Sequence, residues 1–217
     1  MRHPFSARLA FLLCAALVVA GCAGRAARTS LNGNWVNPQF AGQTSFKKVL
    51  VITIGGNEFA QEAFQNQMAA TLRSRGVNAV ASGAYFEQQN EREEARFKRT
   101  IEASGADAVL LARVLAVDEG ITQSLGMVIG PRGTPITGGP TLGTVYAAAF
   151  SPANYAPPQY FDAKSLVAET MLFEVQGKTM VWSAQTTTAY ANRGDLAPAV
   201  QQFVNVVAGA MARDKMP

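Results

Sequence analysis

The chain has 217 residues, 19 basic and 15 acidic, with one histidine, two cysteines and a net charge of +4. His3, Cys14 and Cys22 all lie near the amino terminus, so everything after residue 22 lacks both imidazole and thiol. That excludes Ser-His-Asp and Cys-His nucleophilic sites, an internal disulfide, and zinc centres built from His or Cys, and leaves carboxylates for acid–base or metal chemistry.

The first eight residues carry Arg2, His3 and Arg8 and no acid, and an apolar run of twelve follows, Leu9 to Ala20. A basic start, a short apolar core and small residues at a cleavage point describe a secretory signal. A membrane-spanning helix needs about 20 apolar residues to cross roughly 30 Å of hydrocarbon, and the run is too short. The end of the run, Val19-Ala20-Gly21-Cys22, resembles the lipobox of bacterial lipoproteins. The resemblance implies a diacylglyceryl group on the Cys22 thiol, cleavage before Cys22, and acylation of the new amine. Each buried methylene contributes ~0.8 kcal/mol and one chain binds only reversibly, so two or three chains on one residue make a lasting anchor. Ala23 stands where an Asp would retain such a protein in the inner membrane, so the resemblance points to the periplasmic face of the outer membrane. Loss of residues 1–21 also removes Arg2 and Arg8, leaving seventeen basic and fifteen acidic residues. A net charge that small gives no reason to expect nucleic acid as a partner.

The expected organisation is a signal peptide (1–21), a tether (22–34) and a single domain (35–217) large enough for a sizeable core. Residues 23–34, AGRAARTSLNGN, read as a flexible linker, with Arg25 and Arg28 near anionic head groups or simply solvated. Trp35 to Phe40 opens ordered structure. Val49 to Ile54 is a continuous β-branched run, hence a buried, central, parallel strand. Asn57 is a candidate cap for a helix whose Ala60, Phe64, Met68 and Leu72 share one face. Gly76 ends it in the left-handed position with Val77 making the contact beyond. Val77 to Ala81 is a second strand. Gln88 to Ser104 is a second helix with a thin seam of Phe97 and Ile101, a Glu94–Lys98 pair, and Gly105 as its stop. Ala108 to Val117 is a third buried strand, in which Arg113 needs a partner or must point outward.

Strand–helix–strand–helix–strand over some seventy residues predicts parallel pairing with right-handed crossovers. Residues 118–162 then hold seven glycines, six prolines and the aromatics Tyr146, Phe150, Tyr155, Tyr160 and Phe161 without clear periodicity. A stretch of that length is either functional or a solvated excursion; its glycines lack the P-loop spacing, and a mobile flap or a hairpin that reaches a partner is expected. Ser165 to Val175 and Thr179 to Thr188 form an antiparallel hairpin about Gln176-Gly177-Lys178, with the Thr-rich end suited to an edge or half-exposed face. Asp195 caps a last helix, to Arg213, in which Leu196, Val200, Phe203, Val207 and Met211 face the core. The fold class is α/β, turning to α+β in the carboxy-terminal half: one mixed sheet flanked by helices.

Trp35-Val36-Asn37-Pro38, FKKVLVITI, RSRGVNAV, SGADAVLLARV and the hairpin ETMLFEVQGKTMVWSA together resemble a family of uncharacterised bacterial lipoproteins, over Trp35 to Thr188. The fold of that family is similar to the periplasmic domains of the curli-secretion lipoprotein, the lipoprotein activator of penicillin-binding proteins and the amino-terminal domain of the Tol translocation protein. The resemblance implies a periplasmic α/β domain that works by contacting other envelope proteins; it supplies no catalytic residues.

Three functions follow. The first is a protein-binding or scaffolding lipoprotein of the envelope, with no enzymatic activity, cofactor or metal, and with Cys22 as its one assigned residue. The second is an oligomeric secretion or pore subunit; barrel strands need about 9–11 alternating residues, and Thr141 to Phe150 clusters its apolar residues instead. The third is a carboxylate-dependent hydrolase drawing on Asp107, Asp118, Glu119, Asp162, Glu169 or Glu174, which would need two of them about 5–9 Å apart.

Overall fold

The computed structural model describes residues 27–42, 45–54, 58–85, 93–117, 120–121, 141–142, 165–189 and 196–217. The expected caps Asn57 and Asp195, the start of the second helix at Gln88 and the Glu94 side chain fall outside the described residues, as does nearly all of 118–162.

Apolar runs without alternation form the centre of the molecule. Strand β2 (Val49–Ile54) has Val49, Leu50 and Val51 fully buried, and β4 (Ala108–Val117) has Ala108, Val109, Leu110 and Leu111 fully buried. Each such aliphatic side chain stabilises the fold by about 1.5–3 kcal/mol. Strand β2 pairs in parallel with β4 on one side and with β3 (Ala79–Ala81) on the other. Their connections are helix α1 (Glu58–Ser74) and helix α2 (Glu93–Ser104). The step from β2 to β3 and the step from β3 to β4 run in opposite directions across the sheet, so right-handed crossovers put α1 and α2 on opposite faces. The core divides accordingly. Phe64, Met68 and Leu72 of α1 join Val49, Val51 and Leu110 in one cluster; Phe97 and Ile101 of α2 join Leu50, Ile52 and Leu111 in the other.

The carboxy-terminal half adds antiparallel strands β6 (Ser165–Glu174) and β7 (Met180–Ala189) and helix α3 (Leu196–Arg213). Strand β6 lies against β4, and α3 packs beside α1 with Phe64 and Phe203 ring centroids 5.1 Å apart. The sheet order is β1-β7-β6-β4-β2-β3, with the two-residue strand β5 (Gly120–Ile121) also on β4. One mixed sheet flanked by helices is the α/β architecture expected from the sequence.

Two helices end in the same hydrogen-bonded seal. At the end of α1, Gly76 has φ +86°, its N–H donates to Arg73, and Val77 N–H donates to Leu72. At the end of α3, Lys215 takes the left-handed position at φ 58°, Lys215 N–H donates to Ala212, and Met216 N–H donates to Met211. Left-handed backbone disfavours a β-carbon; burial of Met216 in the main core offsets that cost.

Two expectations are corrected. The tether ends earlier than residue 34: Arg28–Val36 is strand β1, antiparallel to β7, and Ala27 is already buried. Ser, Asn and Gly in RTSLNGNWV favour strands weakly by themselves; what orders them is a ladder with residues more than 140 positions away. The Thr-rich end of β7 is therefore not an edge; the half-exposed alternative holds, with Gln185 and Thr187 half-buried on one face. β7 lies between β6 and β1, Thr186 and Thr188 are buried, and Thr29 and Thr188 hydroxyls meet at 2.9 Å. Within 118–162, Gly120–Ile121 pair with β4 and the described Leu142 docks on the fold. Leu142 is buried in the α2-side core and its N–H donates to the Lys178 carbonyl in the hairpin turn.

Candidate functional site

The most unusual chemistry among the described residues is a charged pair inside the sheet. Arg113 stands opposite Ile54 on one side and Glu169 on the other; Glu169 in turn opposes Gln185, and Gln185 opposes Gly33. A polar row thus crosses the sheet on the face covered by α2, directly beside the apolar row containing Leu111 and Met171. Arg113 Nε donates to Glu169 Oε2 at 3.1 Å, with side chains 6% and 3% exposed. The bond uses one guanidinium nitrogen, and Arg113 Nη2 has no partner among the described residues.

Burial governs both ionisations. It pushes the Glu169 carboxyl above its ordinary value, against the pull of the Arg113 charge and hydrogen bond, and draws the Arg113 guanidinium below its own. The folded chain then holds the Glu169 proton more tightly than the unfolded chain does. Stability from this group is fully present below the unfolded carboxylate pKa and is lost as pH rises through the higher folded value. Denaturant midpoints across the acid range should show this fall in the parent and not in Glu169→Gln; superimposable profiles would contradict it.

The other candidate carboxylates have structural work. Asp107 accepts the backbone N–H groups of Lys47 and Lys48 at 2.8 Å each, clamping the approach to β2. Glu174 accepts Gly177 N–H at 3.1 Å across the hairpin turn. Asp107 and Glu174 share one end of the sheet, and Glu169 lies five residues further along β6, about 17 Å at strand spacing. Asp118, Glu119 and Asp162 fall outside the described residues, as does Cys22. Among the described residues no group of three or more potential metal ligands assembles. Ser183 Oγ is buried without a hydrogen-bond partner among the described residues, none of which is placed as a base to activate it.

Two polar hubs carried no sequence signal. Asp214 accepts from Trp182 Nε1 at 2.7 Å and from Asn34 Nδ2, joining the end of α3 to β7 and β1. Gln65 donates to Thr53 Oγ1 at 2.6 Å and accepts from Gly83 N–H at 3.1 Å, tying α1 to β2 and to the turn after β3. Each partner lies at least twelve residues away, beyond any local pattern.

No protein-family model matches the chain, and no curated protein does. Among solved structures it is similar to the PelC dodecamer from Paraburkholderia phytofirmans, at 14% identity over 82% of this chain and 94% of that one, with a TM-score of 0.41. A PelC point variant in a second crystal form aligns at 15% identity over the same shares, with a TM-score of 0.38.

Proposed function

We propose that the chain is an outer-membrane-anchored periplasmic lipoprotein, held by lipid on Cys22, whose domain serves as a protein-binding or scaffolding module of the envelope. The observation that carries this is the spacing between the lipobox and the fold. The described fold starts at the buried Ala27, five residues after Cys22, and five residues span at most about 18 Å. A domain held that closely works at the membrane surface rather than across the periplasm. Replacing Cys22 with Ala should abolish incorporation of a palmitate analogue and release the chain from the membrane fraction; persistent label in the variant contradicts the anchor. In-cell crosslinking from Arg132 and Tyr155 should capture a defined envelope protein in the parent, and no specific capture from either site counts against the scaffold.

The second reading, an oligomeric secretion subunit, draws on the sheet edges: among the described residues β1 and β3 each pair on one side only. An open edge is a template for another strand. Light scattering of the detergent-solubilised chain decides between them, because a monomer or dimer excludes a ring or pore.

A further inference from the structure

One end of the sheet collects features that match a membrane surface. β1 starts there at Arg28, which is exposed and opposes Ala189 at the end of β7. β6 starts there too, with Ser165 also opposite Ala189. β2 runs toward the same end, parallel to β4, so α1 begins on that side and turns back along the sheet. In the first turn of α1 stands Phe59, 59% exposed and the one exposed large hydrophobic among the described residues.

A lone surface aromatic is ordinary on a folded protein. Its place is what separates this one. The lateral offset from β1 to β2 is four strand spacings, about 19 Å, and Ile54 stops four residues, about 13 Å, short of the level of Val117. The five residues from Cys22 to Ala27 span at most about 18 Å, a reach comparable to the difference in level between Arg28 and the first turn of α1. An exposed Phe gains by burial at the boundary between head groups and acyl chains, and basic residues gain at anionic head groups. Glu58, exposed beside Phe59, is the opposing charge and belongs at head-group level.

We propose that this end of the domain rests on the bilayer that holds Cys22, with Phe59 inserted at the head-group boundary and Arg28 against anionic head groups. The inference rests on the anchor reading above. It orients the domain: the hairpin turn at Gln176 to Lys178 and the ends of α1 and α3 face away from the membrane.

The test uses the full lipidated chain in vesicles of phosphatidylethanolamine and phosphatidylglycerol. Beyond Cys22 the mature chain has no thiol, so Phe59→Cys gives a unique site for an environment-sensitive fluorophore. Ala103→Cys, exposed near the end of α2 at the opposite end of the sheet, is the control. Nitroxide-bearing lipids should quench the probe at position 59 about twofold or more relative to position 103. Equal quenching at both sites, in chains that float with the vesicles, overturns this inference and leaves the anchor standing. Chains that fail to float overturn the anchor and the inference with it.

Discussion

Replacing Glu169 with Ala is expected to destabilise the fold at neutral pH by about 3–5 kcal/mol, because it strands the Arg113 charge in the interior. Glu169 and Arg113 are 3.1 Å apart and almost wholly enclosed, and Arg113 Nη2 is already without a partner among the described residues. The reverse change, Arg113→Ala, should cost less, since burial raises the Glu169 pKa and a carboxylate left alone there can neutralise by taking up a proton, which a guanidinium has no equivalent way to do. Replacing both with apolar residues of similar volume, Arg113→Met with Glu169→Leu, should restore most of the loss or exceed the parent, because the desolvation cost of two ions disappears. Urea denaturation of the parent and the three variants ranks them directly. A double variant no better than Glu169→Ala would show that the pair is needed for more than its charge. The cross-strand pairing of Arg113 with Glu169 also marks the register of β4 on β6, and a one-residue slip would bury an unpaired charge on each face.

The second large effect is at Trp182. Its side chain is fully buried, it opposes Leu172 and Val36 in the ladders, and it belongs to the cluster shared with α1 and α3. Trp182→Ala is expected to cost about 3–5 kcal/mol from lost burial and the cavity left behind. For a domain of this size that lowers the melting temperature by roughly 6–20 °C. Trp182→Phe keeps most of the apolar contact and removes the hydrogen bond to Asp214, which as a bond to a charged acceptor is worth about 1.5–3 kcal/mol. The two variants separate packing from the polar tie between β7 and the end of α3. Thermal unfolding that ranks Phe as low as Ala would place nearly all of the effect in the hydrogen bond.

Local chemistry made much of this fold legible. Near-continuous apolar runs marked β2 and β4 as central strands, since only a strand covered on both faces keeps Val49 to Ile52 apolar at every position. The four-residue spacing of Phe64, Met68 and Leu72 marked the buried face of α1, and Gly76 marked its end through a backbone conformation that needs no β-carbon. Arg113 was recognisable as a residue in need of a partner because an isolated charge in such a run is too costly to leave unpaired. Which partner it took was not legible. Glu169 is 56 positions away, and only the antiparallel alignment of β6 on β4 brings the two together.

What the sequence by itself determined was most of the elements from β2 onward, the faces they bury, and the chemistry available: no imidazole or thiol beyond residue 22, and a cysteine whose context resembles a lipobox. These follow from residue type and short-range spacing, where the physics is local. Only the tertiary structure decided that Arg28–Val36 is a strand, that β7 is interior, that Leu142 docks against the hairpin turn, and that Asp214 ties the last helix to Trp182 and Asn34. Each of those depends on partners far apart in the chain. Their free energy comes from ladder hydrogen bonds and shared burial that exist only once the sheet is assembled.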